Sequence, residues 1–300
     1  MSFTIENKTI ETILSKNNLD KLTSIEELKS GSINPTFLIN NKYILRIDLG
    51  NSEYQNKLKK ESIIFTLLPK FNIPTPKLFA FDDSKIILEF DYLLMSYISG
   101  KNLKDDFQSE LSLELGDLVR KINLVTANDL GDQEIFGDID NWLNKIKLNF
   151  KMYWKYLTDL NYFNNDISRQ IETIYDDYCK IRNWNNKGRL IHGDINPGNI
   201  VANNGNIVGI FDFEYATIAD PLGDLERLAI DFQINNNFNP ELFLQGYGQN
   251  DFSSEELTRI KMYNLSQGLW EIWATKTQQF PYGQKEIDEG TLHVLNTLRL

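Results

Sequence analysis

The sequence predicts an α+β fold, with a β-rich N-terminal lobe and a mainly helical C-terminal lobe. Three observations lead there. The first hundred residues alternate short β-forming runs with turns rich in Pro, Asn and Asp. After Ser99 and Gly100 the apolar spacing lengthens from that of strands to that of helices. Within the helical part, strand-like pieces are confined to short runs around Leu190, Ile200 and Ile207–Phe213. The implied boundaries are 1–95 for the first lobe, 96–100 for a connector and 101–300 for the second.

Taken in order, residues 4–16 suit a short helix. The run LKSGSINPTFLINNKYILRID, Leu28 to Asp48, reads as three strands and two turns, with Asn40-Asn41 tolerating the positive φ of a hairpin. A charged amphipathic helix is expected from Ser52 to Leu68, ended by Pro69. FNIPTPKLFAFDD, KIILEF and YLLMSYI read as further strands. Helical periodicity then predicts helices over 110–126, 140–160, 165–184, 221–233, 254–278 and 284–298.

Composition narrows the function. The 300 residues, 41% hydrophobic and 12% aromatic, are those of a globular chain with a sizeable core. A net charge of -11 argues against general nucleic-acid or anionic-membrane binding and suits a cationic small molecule. The single cysteine, Cys179, excludes an intramolecular disulfide and a Cys-rich metal site, and two histidines make a His-based zinc site a poor reading. No run approaches the roughly 18 apolar residues of a membrane span, and the N-terminus lacks signal-peptide character. A cytoplasmic protein without an obligate protein partner is expected.

One constellation carries chemistry. His192-Gly193-Asp194 is followed by Asn199, and Asp212 comes thirteen positions later in Asp-Phe-Glu. Oxygen-bearing side chains on one loop and on the next hairpin suit a hard cation such as Mg²⁺, which takes one or two protein ligands and completes its shell with phosphates and water. With Asn199 and Asp212 on the metal, Asp194 is left to deprotonate an acceptor hydroxyl.

These loops resemble the catalytic and metal-binding loops of the aminoglycoside phosphotransferase and choline kinase family, small-molecule kinases with a protein-kinase-like two-lobed fold. The resemblance spans roughly residues 20–280 and is tightest over 189–228. It implies that Asp194 is the catalytic base, Asn199 and Asp212 are the magnesium ligands, His192 shapes the loop, and Asp220 and Asp224 brace the lobe. It also implies a nucleotide donor, ATP with GTP left open.

The family places a cation on its third strand and a carboxylate on the following helix. Arg46 in YILRID stands where lysine is usual. Tyr54, Leu58, Glu61 and Phe65 share one helix face, so Glu61 sits on an apolar stripe, where an unpaired charge would be costly. An Arg46–Glu61 pair resolves this and aims a guanidinium at the phosphates, with a geometry that differs from lysine's. By resemblance, the loop containing Ser30, Gly31, Ser32 and Asn34 covers the phosphates. In YLLMSYISG, backbone groups of Ser96 and Ile98 meet adenine, with Met95 flanking the pocket.

The acceptor is left open between two classes. His-Gly-Asp is the form common in aminoglycoside-type members. LWEIWATKTQ, with Trp270 and Trp273, looks like the Trp-x-x-Trp helix of choline and ethanolamine kinases. Aromatic rings attract a quaternary ammonium, although the same two residues also suit core packing on one helix face. Glu214, Asp138 and Asp140 are further candidates for meeting an acceptor's ammonium groups. A nucleotide-binding pseudokinase is the remaining alternative; the presence of Asp194, Asn199, Asp212 and Glu61 counts against it, and Arg46 slightly for it.

Overall fold

The structure, a computed structural model, describes residues 3–28, 35–50, 56–131, 134–181, 188–226, 237–249, 251–279 and 283–300. It is α+β. Contacts divide it into two units, Met1–Phe107 with Pro197–Ala216, and Gln108–Asn196 with Thr217–Leu300.

In the first unit an antiparallel sheet runs in the order β1 (Ile25–Glu27), β2 (Thr36–Ile39), β3 (Tyr43–Asp48), β5 (Asp91–Ser96) and β4 (Leu78–Asp82). Asn40 and Asn41 both have positive φ at the β2–β3 turn, as their tolerance of that region predicts. Side chains alternate across a strand. Tyr43, Leu45 and Ile47 therefore share a core with Ile10, Ile13 and Leu14 of helix α1 (Asn7–Lys16). Arg46 points to the other face, which α2 (Lys57–Leu67) covers by packing on β4 and β5. A single turn of 3₁₀ helix, Leu68–Phe71, ends α2 at Pro69.

The same unit contains a small sheet in the order β6 (Lys101–Asn102), β8 (Ile200–Asn203) and β9 (Asn206–Ile210). Asn204 and Gly205 both adopt positive φ between β8 and β9, the two-residue Asn-Gly turn that matches strand twist.

In the second unit α5 (Ile139–Asp159) and α6 (Asn165–Lys180) pack on the long helix α8 (Ser254–Lys276). Helix α9 (Gln284–Thr297) crosses α8 closely, since a Cβ on Gly268 would lie 2.9 Å from the carbonyl oxygen of Gly290. Helix α3 (Leu111–Ile122) packs on α7 (Pro240–Tyr247), and α4 (Ala127–Leu130) is one turn. A two-stranded ladder joins β7 (Arg189–Ile191) to β10 (Thr217–Ala219).

Several expectations are corrected. KIILEF is not a strand: Lys85 has positive φ and Ile86 is 83% exposed, while Ile87, Leu88 and Phe90 turn back onto the core. The first strand ends just before Leu28, although the Leu28 amide still donates to the Thr36 carbonyl. Over 221–233 the described part is a 3₁₀ turn, Pro221–Leu225, because Pro221 and the Asp220 side chain start a tight turn there; the remainder from 227 lies outside the described residues. Helix α7 and strands β6 and β10 were not expected. Asn239 caps α7 and Pro240 opens it, a start signal that sequence periodicity alone does not register.

Candidate active site

Strand β3 and helix α2 build the first part of the site. Arg46 lies opposite Thr36 and Leu93 in the sheet, and its Nη1 donates to both carboxylate oxygens of Glu61 at 2.8 Å. Glu61 is fully buried and Arg46 nearly so. The Phe213 amide donates to Glu61 Oε1 at 3.2 Å, and the Phe213 ring meets Phe65, one turn along α2, edge-on at 6.2 Å. Lys60 Nζ donates to the Ala216 carbonyl at 3.1 Å. Helix α2 thus holds the whole segment from Phe213 to Ala216.

That segment carries two more carboxylates. Asp212 Oδ1 is 3.3 Å from Arg46 Nη1, and Asp212 takes φ +67, the left-handed region that Asp tolerates better than most residues. Glu214 Oε2 is 3.7 Å from Arg46 Nη2, and its Oε1 accepts from Lys57 Nζ at 3.1 Å. Among the described residues three carboxylates therefore meet two cations, one carboxylate more than the cations. Burial is the largest influence on Glu61. With Asp212 and Glu214 it raises that carboxyl to about 7 against the pull of Arg46. Burial also opposes the charge on Arg46, but Glu61, Asp212 and Glu214 outweigh it and raise the guanidinium's pKa further.

Asn199 closes the 3₁₀ turn Pro197–Asn199, is buried, and accepts the Phe211 amide at its carbonyl, 3.1 Å. Asn199 and Asp212 thus flank the same end of the β8–β9 hairpin. The turn is tied down by the Leu103 amide on the Ile200 carbonyl, 3.0 Å, and the Lys104 amide on the Pro197 carbonyl, 3.1 Å.

In the second unit, Asp224 fixes the loop that carries Asp194. Its carboxylate accepts the His192 and Gly193 amides, each at 3.0 Å, and Asn123 Nδ2 at 2.9 Å. His192, fully buried, accepts the Asp194 amide at Nδ1, 3.2 Å. Asn123 also donates to the Leu190 carbonyl and accepts from the Tyr247 hydroxyl, 3.1 Å for each. Burial raises the Asp224 carboxyl against these donors. Asp220 accepts Arg259 Nη1 at 2.8 Å and the Tyr263 hydroxyl at 2.7 Å, joining the 3₁₀ turn to α8.

A family model described as "Phosphotransferase enzyme family" matches residues 24–263. The chain belongs to the phosphotransferase enzyme family. Its fold is protein-kinase-like, β-rich in the N-terminal region and mainly helical in the C-terminal region. A putative aminoglycoside phosphotransferase from Ralstonia eutropha JMP134 is 13% identical, with a TM-score of 0.71 over 98% of this chain and 97% of that one. The GDP and kanamycin complex of APH(2")-IIIa is 17% identical, TM-score 0.72, over 97% and 98%. The streptomycin–ATP complex of APH(2")-IIa is 16% identical, TM-score 0.61, over 98% and 97%. No curated protein sequence matches the chain significantly.

Within this phosphotransferase, the donor set at the hairpin end fits magnesium: one carboxylate and one amide oxygen are hard ligands of the number that this ion takes beside phosphates. Among the described residues no group of three or more His, Cys, Asp and Glu side chains is arranged as a protein-only metal cage. Ser30, Gly31, Ser32 and Asn34 lie outside the described residues. Met95 is buried in β5, and the Ser96 amide donates to the Lys77 carbonyl at 2.8 Å. Ile98 lies against Gly209 of β9. Trp270 and Trp273 are both half-buried on α8, and the Trp273 ring is 5.0 Å from that of Tyr153. Asp138 caps α5 by accepting the Asn141 amide at 2.8 Å, and Asp140 is exposed in its first turn.

Sequence reasoning missed Lys57, Lys60, Asn123, Tyr247 and Arg259. Lysines near a helix start read as solvated, and only the extra carboxylate in Asp-Phe-Glu hinted at a buried counter-charge.

Proposed function

We propose that the chain transfers the γ-phosphoryl group of a magnesium nucleotide, ATP or GTP, to a hydroxyl of a small cationic acceptor, with an aminoglycoside favoured. The observation that carries this reading is the buried Arg46–Glu61 pair beside Asp212. A cation held on a rigid strand next to a candidate metal ligand is an arrangement suited to polyphosphate. Asn199 and Asp212 would hold Mg²⁺, which when bound neutralises phosphate charge. Arg46 would meet the phosphates, and the connector backbone at Ser96 and Ile98, flanked by Met95, the adenine.

In the step itself, the acceptor oxygen bonds to the γ-phosphorus. The bond from that phosphorus to its bridging oxygen breaks, and the nucleoside diphosphate leaves with the electron pair. Asp194 takes the hydroxyl proton. Asp224 and His192 hold the Asp194 backbone in place for this. The solved relatives whose complexes contain kanamycin or streptomycin make aminoglycosides the first acceptors to try. Asp138, Asp140, Trp270 and Trp273 are the side chains proposed for acceptor binding. Glu214 is already engaged by Lys57 and Arg46 and is a weaker candidate.

The test is magnesium-dependent nucleotide consumption with a panel of aminoglycosides, choline and ethanolamine. Stimulation by an aminoglycoside supports the reading. Stimulation only by choline or ethanolamine replaces the acceptor class. Nucleotide binding without turnover on any acceptor identifies a pseudokinase.

A further inference from the structure

We propose that Lys57 is a positioning residue that keeps Glu214 from capturing the one branch of Arg46 left for phosphate. The inference rests on the proposed nucleotide site.

Arg46 divides its two terminal nitrogens unequally. Nη1 is engaged by Glu61, at 2.8 Å to each oxygen, and lies 3.3 Å from Asp212. Among the described residues, the carboxylate near Nη2 is that of Glu214, at 3.7 Å, beyond hydrogen-bond reach. Glu214 instead bonds Lys57 at 3.1 Å through its other oxygen. Lys57 is itself buried, with its ammonium 5.3 Å from the centre of the Tyr215 ring, so the lysine is seated rather than waving in solvent.

Two cations thus share one carboxylate, and the closer one is not the phosphate ligand. Without Lys57, a Glu214 side chain only 15% exposed would be left with Arg46 as its cation. A carboxylate so poorly hydrated closes on the remaining partner, which engages Nη2 and removes it from an incoming phosphate. The arrangement also explains how arginine serves at this position. A lysine ammonium is a single point charge and would have no second branch for Glu214 to take; the guanidinium has one, and Lys57 guards it.

The experiment measures binding of ATP and GTP to the full chain in EDTA, so that loss of a metal ligand does not enter, for wild type, Lys57→Gln, Glu214→Gln and the double variant. Lys57→Gln is expected to weaken binding about tenfold, the lower end of what one hydrogen bond to a charged group is worth. Glu214→Gln alone is expected to bind as tightly as wild type or tighter. The double variant is expected to regain most of the loss.

A merely structural Lys57 would lower Tm in both lysine variants, and removing Glu214 would restore nothing; that result overturns the inference. So does unchanged binding in Lys57→Gln. If Lys57→Gln fails to fold, Glu214→Gln decides alone, and weaker binding in it refutes the proposal. A wild type that binds neither nucleotide would instead refute the nucleotide site itself.

Discussion

The two units hold their candidate residues by different means. In the first, Arg46, Glu61, Asp212, Glu214 and Lys57 are charges set against charges, with one carboxylate in surplus. In the second, Asp220 pairs with Arg259, but Asp224, which holds the loop of Asp194, is a buried carboxylate satisfied by two backbone amides and one side-chain amide. Backbone donors are fixed by the fold, so Asp224 sets a geometry. Side-chain charges can exchange partners, and the proposed role of the Arg46 cluster as an ion and phosphate site uses that freedom. On the proposed nucleotide site, the difference separates a brace from a receptor.

The largest effect expected is on chemistry alone. Asp194→Ala should lower turnover by roughly 10²–10⁴, as for a lost general base, while nucleotide affinity in the first unit stays at the wild-type value. Near-wild-type turnover in steady-state assays would remove Asp194 from its role. A parallel loss of nucleotide affinity would show that the two regions are not separable in this way.

The same chemical edit applied to both regions tests the comparison directly. Asp224→Asn turns one oxygen into a donor facing only donors, at a cost of about 3 kcal/mol of stability. Glu61→Gln also turns one oxygen into a donor facing Arg46, but it keeps the other for Arg46 and Phe213 and leaves Asp212 and Glu214 to balance the guanidinium, so its stability cost should be smaller than that of Asp224→Asn. Its effect should fall on nucleotide affinity. Denaturant unfolding of the two variants checks the order; equal losses would erase the distinction between brace and receptor.

What the sequence disclosed follows the same division. The Arg46–Glu61 pair was legible because helix periodicity puts Glu61 on an apolar face, where it needs a partner, and the family resemblance puts a cation at Arg46. Asn199 and Asp212 were legible as a pair because they flank one end of the β8–β9 hairpin, and Asp194 because it falls in the same short motif, five residues before Asn199. The brace was harder to read. Asn123 meets Asp224 across a hundred residues through a hydrogen bond from an uncharged side chain, which leaves no periodic trace. Lys57 was hidden for another reason: its neighbours Lys59 and Lys60 make the first turn of α2 look solvated, yet Lys57 is buried. KIILEF misled because an apolar run spells a strand whether or not a partner edge receives it.

Asp82 offers the smallest and most exact probe, because it mixes the two kinds of support within the first unit. It accepts from Lys16 Nζ at 2.8 Å, from the Ser84 hydroxyl at 2.6 Å and amide at 3.0 Å, and from the Tyr92 hydroxyl at 3.2 Å. Lys16 first, then Ser84, hold its carboxyl well below the usual carboxylate range. The unfolded chain takes up this proton near about pH 3.9, and the folded chain only at lower pH. The stabilisation is therefore fully present above the unfolded value and is lost as pH falls through the folded one. Lys16 is 53% exposed, so its part is screened by salt and worth about 0.2–1 kcal/mol. Asp82→Asn should flatten the acid limb of Tm between about pH 5 and pH 2, and leave nucleotide affinity unchanged. Lys16→Met should remove the salt-sensitive fraction alone. If Lys16→Met reproduces the whole effect, the neutral donors contribute nothing, and hydrogen bonds from fixed donors are not what distinguishes a brace.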